Sequence, residues 1–314
     1  MSDRLFLALF LAIPVLFVVL DCVELCRARA RRERADRAGW QALGFVALVL
    51  VVYGAIQFGA SALVPSGARI IAGVREALGT QVGRPLPAGT IRGVPLALLT
   101  LAIFYVSGLW DYVFHRFFSH SRRFFFTHEY HHVPGEVNLL MPGLAVRPFS
   151  ILTSFPATIA TVASAYAILL MLGLPLWDLE PLKGLLLIQA FLLTASHSCF
   201  LRNAWWLHHG MKWFALTTPQ EHLLHHAVAM QGNYGNFTVL WDRIFGTYLD
   251  PLRAENRNPP IGLGYDQDFL GAITAGKLKL PPAVRRRFQV GRFCNIKADQ
   301  CDPATAAETE APRQ

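Results

Sequence analysis

Three short blocks hold most of the eleven histidines in this 314-residue chain. FHRFFSH contains His115 and His120, and two later blocks share the spacing HxxHH. The later blocks supply His128, His131, His132, His222, His225 and His226. On a helix that advances about 100° per residue, positions i, i+3 and i+4 lie within an arc of roughly 100°, so all three rings of a box can face one cavity. We therefore predict that these eight histidines bind metal.

The number of histidines indicates the kind of metal centre. Imidazole suits iron, zinc, copper and nickel, and a mononuclear zinc site needs only three or four protein ligands. Eight histidines, with His197 in TASHSC as a candidate ninth, suit two metal ions with about four ligands each. The alternative for His197 is a buried histidine that hydrogen-bonds a backbone carbonyl.

The elements that must position these blocks are strongly apolar. Hydrophobic residues make up 53% of the chain and charged residues 16%, which favours a membrane protein. Apolar runs that could cross roughly 30 Å of hydrocarbon lie near residues 5–20, 42–64, 94–110, 151–174 and 184–201. The expected fold is all-α, a polytopic membrane helical bundle with a cytoplasm-facing, histidine-rich two-metal site.

Arginines predict the orientation of this bundle. Residues 27–37, RARARRERADR, hold six arginines directly after the first run, and the positive-inside rule places such a segment in the cytoplasm. Counting spans from there puts every histidine on the cytoplasmic side. We expect a multi-pass protein of the bacterial inner membrane or, in a eukaryote, of the endoplasmic reticulum.

Other features exclude some classes of function. The net charge of +8 does not indicate nucleic-acid binding, because the basic residues flank apolar spans, where orientation and anionic headgroups account for them. The five cysteines lie at predicted cytoplasmic positions, so we expect no disulfide framework.

Family resemblance rests on WDYVFHR, on the two HxxHH boxes and on NYGNFTVLWDRIFGTY at residues 233–248. Together they resemble the fatty acid hydroxylase and sterol desaturase superfamily of membrane di-iron oxygenases. The resemblance implies two non-haem iron ions, dioxygen as co-substrate, a membrane lipid substrate and an external electron donor of cytochrome or ferredoxin type. It covers residues 94 to about 250, which form the expected di-iron domain (94–250). From hydropathy and charge, we expect an N-terminal anchor with two spans and an external loop before it (1–93) and a cytoplasmic tail after it (251–314).

The resemblance also assigns roles to residues of this sequence. It implies that the iron ligands and catalytic residues are His115, His120, His128, His131, His132, His222, His225 and His226, and we add His197 as a metal ligand.

One departure from the family pattern concerns the first block. The family usually has three residues between these two histidines, whereas FHRFFSH has four. On an unbroken helix, His120 would point about 140° away from His115, and Asp111 about 40° away. Either the helix ends or bulges near Ser119, or His120 lies outside the ligand set. Asp111 would be a ligand or an acceptor that orients His115, and Glu129 and Glu221 are further candidates for orienting histidines.

The resemblance implies an oxidoreductase that hydroxylates an unactivated carbon of a fatty acyl or sterol-like lipid. A lipid desaturase is the alternative, because both reactions share the same metal site. A non-catalytic metal-binding or metal-transporting membrane protein is an alternative of another class. Transport would place polar ligands near the middle of the membrane on broken helices, whereas most of these histidines lie beyond the span ends.

Overall fold

The computed structural model describes residues 2–31, 93–132, 137–139, 151–172, 180–227, 231–257 and 259–263, and positions 270, 274, 277, 278 and 281. The predicted second span, the external loop, most of the link between the fourth and fifth runs, and most of the C-terminal tail lie outside these residues.

Helices dominate the part of the chain that the structure describes, where β-structure is limited to two isolated antiparallel bridges. The α-helices are α1 (Asp3–Arg31), α2 (Gly93–Phe114), α3 (Glu129–His132), α4 (Ile151–Met171), α5 (Glu180–His197), α6 (Trp205–Lys212), α7 (Pro219–His225) and α8 (Leu240–Ile244). The predicted all-α class is confirmed.

Three described helices are long and apolar enough to cross a membrane. The apolar segments are Arg4–Glu24 in α1, Gly93–Ser119 in α2 and its continuation, and Leu152–Leu169 in α4. The fifth predicted run forms a shorter apolar helix, Leu182–His197. Large apolar side chains such as Leu7, Leu98 and Ile159 are more than half exposed, as lipid-facing residues are.

Helix α2 lies at the centre of the bundle, where it packs against α4 and α5, while α1 packs against α5. Ile103 and Phe104 of α2 are buried with Leu169 and Leu192 in one apolar core. Polar bonds also join the helices: the indole of Trp110 donates to the Ser164 hydroxyl at 2.8 Å. Such bonds help to hold apolar helices together where water is scarce.

The histidines lie at one end of this bundle. The chain reaches the first two blocks where α2 ends, and it reaches His197 where α5 ends. The third block follows on the short helix α7. Helix ends and short helices therefore position the site.

Candidate metal centre

The first block departs from α-helical geometry. Helix α2 continues as a π-helix, His115–Ser119, in which the amide of His120 donates to the carbonyl of His115 at 3.0 Å. The wider turn brings the rings of these two histidines to a centroid distance of 4.9 Å. Of the two alternatives for FHRFFSH, the structure therefore has the bulge near Ser119. Such π-bulges are frequent at functional sites.

The two HxxHH boxes lie on short helices. The first box begins at His128, just before α3, and the second occupies α7 with His226 as its C-cap. Helix α7 begins with a capping box. The Thr218 hydroxyl accepts from the amide of Glu221, and the Glu221 carboxylate accepts from the amide of Thr218.

All nine predicted histidines come together in two adjacent groups. The first group contains His115, His120, His128, His132 and His225, and the second contains His131, His197, His222 and His226. Within each group the candidate ligand nitrogens all lie within 4.8 Å of one another. The groups adjoin, since the ring centroids of His132 and His226 are 4.5 Å apart.

Distances between ring nitrogens fit metal binding. Two nitrogens that bind one ion at about 2.1 Å lie about 3.0 to 3.4 Å apart. The Nε2 atoms of His115 and His128 are 2.9 Å apart. In the second group, Nε2 of His222 lies 2.9 Å from Nε2 of His197 and 3.2 Å from Nε2 of His226.

Backbone carbonyls orient the rings. Nδ1 of His115 lies 2.5 Å from the carbonyl oxygen of Tyr234, and Nδ1 of His197 lies 2.7 Å from that of Leu193. An Nδ1–H that donates to a carbonyl leaves the Nε2 lone pair free for a metal ion. His197 therefore makes the hydrogen bond to a backbone carbonyl that the alternative predicted. It also directs its Nε2 into the second group.

His132 indicates that the cluster has room for a ligand of its ring nitrogens. Its side chain is fully buried, and neither ring nitrogen has a hydrogen-bond partner among the described residues. Leaving buried polar atoms unpaired is costly unless a ligand satisfies them. The donor set therefore fits two ions of an imidazole-binding transition metal.

Burial also keeps these rings neutral. It lowers the pKa of His120, His132 and His222 well below the ordinary value, and the neighbouring imidazoles lower it further. A neutral imidazole retains the lone pair that metal binding requires.

A turn after the third block holds Tyr234 against His115. The Asp242 carboxylate accepts from the backbone amides of Tyr234 and Gly235 at 2.8 and 2.9 Å. A Cβ at Gly235 would lie 2.0 Å from the carbonyl oxygen of Thr238, so only glycine fits there. Tyr234 and Asp242 were not among the residues predicted for the site, although the turn-type sequence NYGN so close to a histidine box is a signal for such a turn.

The three acidic candidates lie outside both histidine groups. Asp111 accepts from the backbone amide and side-chain amide of Asn236 at 2.7 and 2.8 Å. Nδ2 of Asn236 also lies 3.2 Å from Nδ1 of His115, so the Asn236 side chain packs between Asp111 and this ring. Glu129 is buried beside the first HxxHH box.

Glu221 is completely buried and closes the capping box of α7. Its carboxylate also accepts from the hydroxyl of Tyr248 at 2.9 Å. Burial raises the pKa of Glu221, and the hydrogen bonds oppose this shift. In the structure, this carboxylate therefore holds the helix that carries the third block.

The remaining two histidines lie outside the cluster. His208 is fully buried, and its Nδ1 lies 2.9 Å from the hydroxyl of Thr218, the N-cap residue of α7. Burial lowers the pKa of His208 to about 4. His209 is exposed.

A cleft of about 80 Å³ reaches the first group between α2 and α4. Phe114 and Ala157 line its apolar side, and His115 and His128 lie at its wall. The cleft contains no histidine of the second group. This cleft therefore leads to the first group and not to the second.

Comparison with known proteins identifies one family. Residues 100–247 match the family model described as fatty acid hydroxylase, and this range contains all nine histidines of the cluster. No solved structure matches the chain.

Proposed function

Because residues 100–247 belong to the fatty acid hydroxylase family, within the fatty acid hydroxylase and sterol desaturase superfamily, we propose that this chain is a membrane-bound di-iron oxygenase that hydroxylates a lipid. The family makes the chain an oxidoreductase and, with the apolar helices, a membrane protein. The observation that carries the finer proposal is the division of nine histidines into two adjacent groups at one end of an apolar bundle.

The reaction that we propose explains the need for metal. Breaking an alkyl C–H bond requires an oxidant that no side chain supplies, and two iron ions would supply this redox chemistry when bound. The protein's own part is to hold the ions and to orient the rings through backbone carbonyls. It also brings the lipid carbon to the site in surroundings poor in water.

The substrate would reach the site through the cleft between two apolar helices. The cleft between α2 and α4 leads to His115 and His128, and the helices on both sides present apolar side chains outward. This arrangement supports a substrate with a long apolar body, such as a fatty acyl chain or a sterol-like lipid. The reacting carbon would be placed beside the five-histidine group.

Orientation and electron supply form a second part of the proposal. The arginine-rich segment begins at the C-terminal end of α1, at the same end of the bundle as the histidines, which supports a cytoplasmic site. Electrons would come from a separate cytochrome- or ferredoxin-type donor. Exposed Arg122 and Arg123, close after His120, offer a basic surface to an acidic donor.

The decisive experiment compares membrane lipids of cells that express the wild-type chain, His225→Ala or His209→Ala. Purified wild-type protein should hold about two iron ions, and its cells should contain a lipid heavier by one oxygen. His225→Ala should lose that product and the iron of the five-histidine group, because a ligand nitrogen is missing. His209 lies outside the cluster, so His209→Ala should behave like the wild type.

Other outcomes would change the proposal. A lipid lighter by two hydrogens would indicate the desaturase. Two tightly bound ions without any oxygen-dependent product would favour the non-catalytic metal-binding protein. Unchanged product formation by His225→Ala would contradict the assigned site.

A further inference from the structure

A fully buried carboxylate, that of Asp21, lies near the C-terminal end of the apolar segment of α1. This helix precedes the residues that match the family, so the family match gives Asp21 no role. An ionisable side chain in an apolar helix is costly to bury and usually has a functional partner. The contacts of Asp21 identify that partner.

Asp21 accepts three hydrogen bonds from the turn at residues 198–200 and a fourth from Leu139. Its Oδ1 accepts from the hydroxyl of Ser198 at 2.5 Å and from the amide of Phe200 at 3.1 Å. Its Oδ2 accepts from the amides of Cys199 and Leu139, at 3.2 and 3.0 Å. The two oxygens of a carboxylate offer about four acceptor positions, so these bonds use the full capacity of Asp21.

This turn directly follows His197, the last residue of α5. Nε2 of His197 lies 2.9 Å from Nε2 of His222 and 3.4 Å from Nε2 of His131. Any movement of the turn at 198–200 would therefore move His197 relative to its two neighbours.

Arg202, two residues after this turn, is joined to the segments next to the two histidine boxes. The guanidinium of Arg202 donates to the carbonyl of Val137 at 2.5 Å, shortly after the first box. The carbonyl of Arg202 accepts from the side chain of Gln220 in α7 at 2.7 Å. The turn and the residues that follow it thus connect α1, α5, α7 and the segment after the first box.

We propose that Asp21 is a positioning residue of the metal centre, which fixes the turn at 198–200 and so directs His197 into the four-histidine group. The inference rests on the proposed metal centre. It gives α1 a task beyond membrane anchoring, because α1 supplies the acceptor that holds the turn after His197.

The test compares Asp21→Asn with Glu24→Gln in the full-length protein, purified in detergent and loaded with cobalt(II). Three backbone N–H groups donate to the two oxygens of Asp21, and Asp21→Asn replaces one of these oxygens with an NH2 group. At least one backbone N–H group therefore loses its acceptor, while the volume of the side chain hardly changes. Glu24 lies one turn further along α1 and is partly exposed, which makes Glu24→Gln the matched control.

We expect about two cobalt ions per chain for the wild type and for Glu24→Gln, and about one for Asp21→Asn. The visible cobalt spectrum of Asp21→Asn should match that of His197→Ala. The double variant Asp21→Asn/His197→Ala should bind as much cobalt as either single variant. A spectrum and stoichiometry like the wild type for Asp21→Asn would overturn the proposal. A wild type that binds fewer than two ions would instead refute the proposed metal centre.

A milder variant covers the case in which Asp21→Asn does not fold, as judged by size exclusion. Ser198→Ala removes only one of the four donors to Asp21. A chelator should then extract one of the two cobalt ions several-fold faster than it does from the wild type, and the other ion at the unchanged rate. Equal acceleration for both ions, or for neither, would overturn the proposal.

Discussion

Each HxxHH box contributes histidines to both groups of the cluster. In the first box, His131 belongs to the four-histidine group, whereas His128 and His132 belong to the five-histidine group. In the second box, His225 alone belongs to the five-histidine group. A helix that places three imidazoles on one face can therefore bridge two neighbouring ions.

Asn236 gives a prediction for a residue that binds no metal itself. Its side-chain amide lies between Asp111 and His115. We expect Asn236→Ala to weaken binding of the ion in the five-histidine group by about 10- to 100-fold, as removal of outer partners of metal ligands usually does. Competition with a coloured chelator measures this affinity.

Asn203→Ala is the control for this variant, because Asn203 is exposed in the turn before α6. Its two ions should bind as in the wild type. An affinity of Asn236→Ala equal to that of Asn203→Ala would show that Asn236 does not orient His115.

At the scale of single elements, the π-helix after α2 compensates for the additional residue of the first block. In this part of the chain the wider turn returns His120 to the side of His115. On an α-helix, a spacing of four positions would place two rings about 40° apart without any bulge. One residue fewer should therefore be compatible with the same ligand set.

Deletion of Phe117 tests this interpretation. Phe117 is 57% exposed, so its removal takes little packing from the core. We expect the deletion variant to form a continuous α-helix up to the second histidine and to retain about two ions per chain. Metal analysis of the purified protein gives the stoichiometry.

The length-preserving variant Phe117→Ala serves as the control and should also retain two ions. Loss of the ion from the five-histidine group in the deletion variant alone would mean that the π-helix itself, and not merely the meeting of the two rings, is required.

At the scale of the whole molecule, metal binding and folding should be coupled. The cluster brings nine imidazoles together at one end of the bundle. Some of their nitrogens, such as those of His132, are buried without a hydrogen-bond partner among the described residues. Without ions, the lone pairs of facing nitrogens repel one another. The apo protein is therefore expected to be less stable than the metal-bound protein.

Addition of iron(II) to the apo protein under anaerobic conditions should raise Tm. Each ion contributes about 2.7 kcal/mol at a free metal concentration about 100 times its Kd. Thermal unfolding monitored by circular dichroism measures the effect. The double variant His222→Ala/His225→Ala, which loses a ligand from each group, should show little increase; an increase equal to that of the wild type would contradict the coupling.

The sequence predicted much of this arrangement because its signals are local. Hydrophobic runs indicated the helices, and the spacing HxxHH indicated which rings share a face. The sequence left two alternatives for His120, inside or outside the ligand set. The conformation of the chain at Ser119, which decides between them, depends on how the ring of His120 packs against the other histidines. Only the packed structure distinguishes them.

The remaining features could not be predicted because they depend on long-range contacts or on the backbone. Asp21 and Ser198 are 177 positions apart, and Asp111 and Asn236 are 125 positions apart. The carbonyl of Tyr234 has no side-chain signature, as every residue carries such a group. Neither the periodicity nor the composition of the sequence predicts such long-range hydrogen bonds.

The position of α7 in the chain has a consequence for biosynthesis. Both metal groups draw on this helix and its cap, through His225 in one and through His222 and His226 in the other. The ribosome makes these residues last among the nine, after α1, α2, α4 and α5 have been synthesised. Neither group can assemble its full set of ligands before that point, so a metal ion that arrives earlier meets an incomplete site.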